Sequence, residues 1–344
     1  MIRFECDYLE GAHPRILEAL TTTNFEQTPG YGMDTYCEKA RSIIKEKCNS
    51  QESDVHFLVG GTQTNTTVIA SILRPHQGVL CASTGHINVH ETGAIEATGH
   101  KVMSIPSDDG KITALDIQNA YESHFNDDTA EHMVQPGMVY ISHPTENGTL
   151  YTKKELEAIS YVCHKLSLPL FLDGARLGYG LTADGNDVTL EDIARLCDVF
   201  YIGGTKVGAL FGEAVVITNS SLKKDFRYFI KQNGGMLAKG RLLGIQFTTL
   251  LENNLYFEIA SHANNLALKI RDAFASKDCS FRYDSITNQQ FPIIPNEYLE
   301  KLKDKYSFSF WEKTDENHTA VRFCTSWATK EEDVETLISD IIKL

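Results

Sequence analysis

Seven short runs rich in β-branched and other apolar residues recur between positions 55 and 217: VHFLV, VLCA, KVMSI, GMVYI, LPLFL, DVFYI and EAVVI. Amphipathic stretches such as TNTTVIASILR and KKELEAISYVCHKL lie between them. Strand-like runs that alternate with helix-like ones predict an α/β domain on a mostly parallel sheet flanked by helices. In such sheets ligands bind beyond the carboxyl ends of the strands. The residues just after each run therefore matter most: Gly60 to Thr62, His86, Thr145 and Glu146, Asp173 and Arg176, and Gly203 to Lys206.

The chain has 344 residues, enough for one large domain and a smaller companion. NGGMLAKGRLLGIQF at 233–247 reads as a loop entering a long helix, which places the boundary near residue 250. The expected division is a large domain over 1–250, with an N-terminal arm, and a small C-terminal α+β domain over 251–344. The latter begins with a helical stretch (IASHANNLALKIRDAFAS), continues with strand candidates around 281–294 and 307–324, and closes on the helix EEDVETLISDIIKL.

A formal net charge of −14 argues against nucleic acid or an acidic membrane surface as the main partner, because both are bound through clustered Lys and Arg. The eight cysteines form no C-x-x-C pair, so neither a zinc site nor a disulfide framework is indicated and a reducing cytoplasm fits. MIRFECDYLE lacks the basic and apolar regions of a signal peptide, and no apolar run approaches the ~18 residues of a membrane span.

Three motifs carry chemistry. GGTQTN at 60–65 follows a strand and opens a helix, so free backbone N–H groups could meet an anion at the positive helix end; a glycine turn with Thr62 as N-cap is the plainer alternative. HINVHE at 86–91 spaces His86 and His90 as metal ligands are spaced on a helix, but no third ligand is evident. A structural or stacking role for His86, beside a planar ligand, fits better. Lys206 in GGTKVGA stands at a strand end among small residues that leave room for a cofactor. A lysine able to form a Schiff base, an aspartate for a pyridinium nitrogen and a nearby arginine make up the constellation of pyridoxal 5'-phosphate enzymes. Asp173 and Lys206 lie one strand-helix-strand unit apart, which brings them to neighbouring strand ends.

YGMD at 31–34, GGTQTN, the HI at 86–87, DGAR at 173–176, GGTK at 203–206 and VRFCTSW at 321–327 resemble, in that order, the threonine aldolase and aromatic amino acid β-eliminating lyase family. These are pyridoxal-phosphate enzymes of fold type I, the aspartate aminotransferase fold. TENGTLY at 145–151 is similar to the T-E-x-G-T-x-Y pattern of the low-specificity L-threonine aldolase branch. The resemblance implies a seven-stranded sheet and that Lys206 carries the cofactor, Asp173 holds its ring nitrogen and His86 stacks on the ring. It further implies that Gly61, Thr62 and Thr205 bind phosphate, and that Arg176 and Arg322 grip the substrate carboxylate or a cofactor oxygen. Tyr31 would reach in from a neighbouring subunit of a homo-oligomer, expected as a dimer of dimers. Asp7 follows Cys6 where the family has an S-D pair, and is assigned to the substrate. Glu146 stands where the better-known branch has a histidine, in E-N-T-H.

The implied reaction is retro-aldol cleavage of a β-hydroxy-α-amino acid, with threonine giving glycine and acetaldehyde. A base must remove the β-hydroxyl proton, and Glu146 and His86 compete for that role. The rivals are β-elimination or transamination with the same cofactor, and a binding protein that retains the fold without turnover.

Overall fold

The computed structural model describes all 344 residues. The strands are β1 (Ile2–Arg3), β2 (Asp54–Leu58), β3 (Gln77–Ala82), β4 (Lys101–Ile105), β5 (Gln135–Ser142), β6 (Leu170–Asp173), β7 (Val199–Gly203), β8 (Glu213–Ile217), β9 (Gln289–Gln290), β10 (Ile293–Pro295), β11 (Tyr306–Ser307), β12 (Ser309–Lys313) and β13 (His318–Cys324). Each of the seven apolar runs forms a strand of one seven-stranded sheet, ordered β2-β8-β7-β6-β5-β3-β4. Every residue of β6, β7 and β8 is buried, as expected of strands covered on both faces. The edge strand β4 is only partly buried.

Pairing is parallel except at β8, which runs against both β7 and β2. Only GTKVGALFG separates β7 from β8. That is too short for the crossover that a parallel return requires, so the chain turns straight back. All strands but β8 therefore end at one edge, and the reversing turn itself carries Lys206.

Side chains alternate between the faces. Leu170, Leu172, Phe200 and Ile202 join one apolar cluster, while Phe171, Val199, Tyr201 and Tyr140 join the other. The helices that cover these faces start on local signals. Thr152 and Glu155 form a capping box before the helix Lys153–Leu166, the Thr152 Oγ1 accepting from the Glu155 N–H at 3.2 Å and the Glu155 Oε2 from the Thr152 N–H at 2.7 Å.

The helix Leu255–Ala275 leads into the C-terminal region, where β10, β13 and β12 form an antiparallel sheet and β9 also pairs with β13. A short helix, Asn296–Leu302, which the sequence pattern does not announce, links β10 to β11. Phe274, Phe323 and Leu337 pack there with Phe4 from the other end of the chain. β1 pairs in parallel with β11, and the Cys324 N–H donates to the Phe4 carbonyl at 2.8 Å. These bonds deliver the next few residues, including Asp7, to the rim of the large sheet. No helix is long and apolar enough to cross a membrane.

Candidate active site

Two glycine-bearing loops meet where β6 and β7 end. The Gly203 N–H donates to the Gly174 carbonyl at 3.0 Å. A Cβ on Gly174 would lie 2.0 Å from the Tyr201 carbonyl oxygen, and one on Gly203 would lie 2.4 Å from that of Ala175. Only glycine permits this approach, which sets the DGAR and GGTK segments against each other. Tyr256 donates to the Gly203 carbonyl at 2.9 Å and Tyr179 to the Lys206 carbonyl at 2.6 Å, fixing the lysine turn from behind.

Gly61, His86, Glu146, Asp173, Arg176 and Lys206 line a single cavity at this edge. The Asp173 carboxylate is held from four directions. Its Oδ1 accepts from the Ala175 N–H at 2.9 Å and from the Tyr201 hydroxyl, and its Oδ2 accepts from the Tyr140 hydroxyl at 2.6 Å and the Asn65 amide at 3.1 Å. Tyr140 and Tyr201 come from the strands on either side of β6, with Phe171 between them at ring-centroid distances of 5.6 and 6.2 Å. Asp173 is thus an oriented acceptor at the cavity floor.

The contacts continue into a closed circuit. Asn65 Nδ2 also donates to Glu91 Oε1 at 2.7 Å, and that oxygen lies 2.8 Å from His86 Nδ1. The His86 backbone N–H donates to Glu146 Oε1 at 2.9 Å. Ser142 Oγ donates to the same oxygen at 2.7 Å and lies 3.3 Å from the Tyr140 hydroxyl, which returns the path to Asp173. Glu146 Oε2 is buried without a protein partner. Burial and the neighbouring Asp173 raise the Glu146 carboxyl above its ordinary value, outweighing the Ser142 hydrogen bond.

Lys206 opens into the cavity. Burial and the charge of Arg176 hold its ammonium below the ordinary lysine range, against the pull of Asp7, Asp173 and Glu213. A lowered lysine is a better nucleophile at neutral pH. Glu213 sits beneath the turn, accepting from the Gly204 N–H at 3.0 Å, and burial pushes its carboxyl up to about 8.

Arg176 makes a bidentate pair with Asp7, Nε to Oδ2 at 2.7 Å and Nη2 to Oδ1 at 2.9 Å, and Asn288 adds a bond to Oδ2 at 2.9 Å. Burial raises the Asp7 carboxyl, but Arg176, Lys206 and these hydrogen bonds prevail and hold it at about 2. Both Asp7 oxygens therefore have partners within the protein, and Asp7 is not among the residues that line the cavity. Arg322 reaches only neutral acceptors: the Glu5 carbonyl at 2.8 Å, Gln289 Oε1 at 3.2 Å and Ser309 Oγ at 3.4 Å. Its Nε is buried without a partner, and Arg322 is not among the residues that line the cavity.

GGTQTN folds as a strand-to-helix turn, with Gly60 rather than Thr62 at the N-cap and no side chain capping the helix Gly61–Ile72. The first N–H groups of that helix therefore have no side-chain partner. Thr205 Oγ1 accepts from the Gly212 N–H at 3.0 Å inside the lysine turn. Tyr31 does not line this cavity. It is half exposed, at positive φ, in a surface hollow with Arg227, Tyr228, Lys231 and Met236.

Sequence reasoning missed Asn65, Glu91, Tyr140, Ser142 and Tyr201. A signal existed for the tyrosines: each stands two residues before a strand end, flanking the strand that ends in Asp173. Asn65 and Glu91 left none, since only the fold brings them together.

The sequence profile of a family described as beta-eliminating lyase matches residues 10–292. A low specificity L-threonine aldolase of Pseudomonas sp. (strain NCIMB 10558) is 30% identical over 342 residues, covering 98% of this chain and 96% of the relative. Among solved structures, a threonine aldolase of Leishmania major superposes with a TM-score of 0.97 at 44% identity, over 100% of this chain and 99% of that one. A Thermus thermophilus aspartate aminotransferase variant superposes with a TM-score of 0.73 at 14% identity, covering 100% and 91%, which shows the shared fold.

Proposed function

The chain belongs to the beta-eliminating lyase family, and on that footing we infer that it is a pyridoxal phosphate-dependent aldehyde-lyase that cleaves threonine or a related β-hydroxy-α-amino acid to glycine and an aldehyde. The observation that carries this reading is the pairing, in one cavity, of a lysine held below its ordinary pKa with an aspartate anchored by four donors. The names of its relatives supply the substrate class.

The residues present fit the cofactor. Lys206 offers a free amine, Asp173 an oriented carboxylate for a ring nitrogen, and the uncapped helix at Gly61 and Thr62 free donors for a phosphate, with Thr205 beside the lysine. Pyridoxal phosphate, when bound, supplies an aldehyde for the lysine and a ring that accepts the electron pair of the broken Cα–Cβ bond.

The protein supplies the rest. Arg322, with no acid among its partners, would bind the substrate carboxylate and so orient the substrate at Cα. The β-hydroxyl proton goes to an acceptor facing the cavity, His86 Nε2 or Glu146 Oε2. His86 is the candidate pursued below, because its ring is held by a second buried carboxylate, Glu91. Assaying L-threonine, L-allo-threonine and their D-forms for aldehyde release tests the reading, and a protein that releases none from any of them would defeat it.

Assembly into at least a dimer belongs to the same reading. Phe25, Met33 and Tyr228 are exposed apolar residues, which supports association, and Tyr31, which does not line its own chain's cavity, would serve a second copy. A monomer that is fully active by light scattering and assay together would remove Tyr31 from the site.

A further inference from the structure

The side chain of Glu91 is completely buried. One of its oxygens, Oε2, has no partner, and the other is shared between Asn65 Nδ2 at 2.7 Å and His86 Nδ1 at 2.8 Å. The direction of these bonds can be deduced. The Asn65 amide stands between two carboxylates, those of Glu91 and Asp173, and only its NH2 end is attractive to both. Glu91 Oε1 is therefore an acceptor towards Asn65, and an ionised carboxylate accepts from His86 as well. The ring proton then sits on Nδ1, and Nε2 is the nitrogen left with a lone pair.

We propose that Glu91 is a positioning residue that holds His86 with its proton on Nδ1 and its Nε2 open to the cavity, and that it stabilises the ring when Nε2 takes up a proton. A buried carboxylate beside a histidine acts in this way because an imidazolium next to it converts an uncompensated charge into a pair. His86 is the basic partner of Glu91 within ion-pair distance. The Asn65 bridge makes the anchoring common to His86 and Asp173, which line the same cavity. In the cleavage, the β-hydroxyl proton passes to Nε2, the O–H electron pair becomes the second bond of the aldehyde carbonyl, and the Cα–Cβ bond breaks with its pair left on the Cα side. The resulting imidazolium faces Glu91. The tautomer stands on geometry alone, while its catalytic consequence rests on the aldolase reading above.

The test is ¹⁵N NMR of histidine-labelled holoenzyme, with the His86 signals identified by their loss in His86→Asn. The wild type is expected to show the proton on Nδ1. Glu91→Gln should move the ring towards the Nε2–H form and lower kcat for threonine on the order of ten- to a hundredfold, with KM changed less than about threefold. Glu91→Asp, which keeps the charge, should recover part of the loss. A wild-type ring protonated on Nε2 overturns the proposal without any variant, should Glu91→Gln fail to fold. So does a Glu91→Gln enzyme that loses kcat while the His86 tautomer is unchanged. Wild-type protein with the proton on Nδ1 but no aldehyde release supports the anchoring and defeats the aldolase reading instead.

Discussion

The Gly203 N–H donates to the Gly174 carbonyl at 3.0 Å, so the loop that carries Lys206 is hydrogen-bonded to the loop that carries Asp173. Neither glycine has space for a methyl group. Gly203→Ala should cost about 1–3 kcal/mol through overpacking and separate the two loops, so both thermal midpoint and kcat fall. Gly11→Ala, where a Cβ would meet nothing within 4 Å, is the control and should shift stability by less than ~0.5 kcal/mol. Equal behaviour of the two variants would show that the close approach is dispensable.

Lys206 is the only lysine lining the cavity. Borohydride reduction of the yellow holoenzyme should fix the cofactor on the peptide containing Lys206, and Lys206→Ala should lose that linkage together with turnover. Peptide mapping that finds the reduced adduct on another lysine would contradict this.

Asp7 and Arg176 form a buried bidentate pair, and removing one charge strands the other. Asp7→Asn should destabilise the fold by about 3 kcal/mol in denaturant unfolding, and raise KM through the loosened Arg176. A variant of normal stability with a selective loss of substrate binding would instead place Asp7 in direct contact with substrate.

His143, which follows β5, is fully buried with neither ring nitrogen partnered, and burial lowers its pKa from 6.5 to about 4. The unfolded chain binds the proton more readily than the folded one, so stability rises with pH across that interval. The contribution is complete above 6.5 and is lost as pH falls through about 4. Its full size is about 3 kcal/mol. Comparing unfolding free energies at several pH values from 7.5 downwards for wild type and His143→Gln should show a shallower decline in the variant; parallel curves would mean that the imidazole titrates normally.

Much of this architecture could be read directly, because period and punctuation are local properties. Seven runs of apolar residues became seven strands of one sheet, and KKELEAISYVCHKL became the helix Lys153–Leu166. Asp173 and Lys206 could be singled out because glycines and small residues follow their strands for a steric reason the structure makes plain. The reversal of β8 was equally available from the brevity of GTKVGALFG, but runs of residues say nothing of direction until connection lengths are weighed. The circuit through Asn65, Glu91, Ser142 and Tyr140 was out of reach. Its members are up to 108 residues apart along the chain, as Asn65 and Asp173 are, and only sheet order makes them neighbours.

The most direct test of the central claim is the product ratio from L-threonine. Purified protein loaded with pyridoxal phosphate would be incubated with the amino acid, acetaldehyde followed by coupled reduction, and glycine, ammonia and 2-oxo acids quantified in the same sample. The account predicts glycine and acetaldehyde in equal amounts, with no 2-oxo acid and no ammonia. Ammonia with 2-oxobutanoate in place of glycine would contradict it, and would make the chain an eliminating enzyme rather than an aldolase.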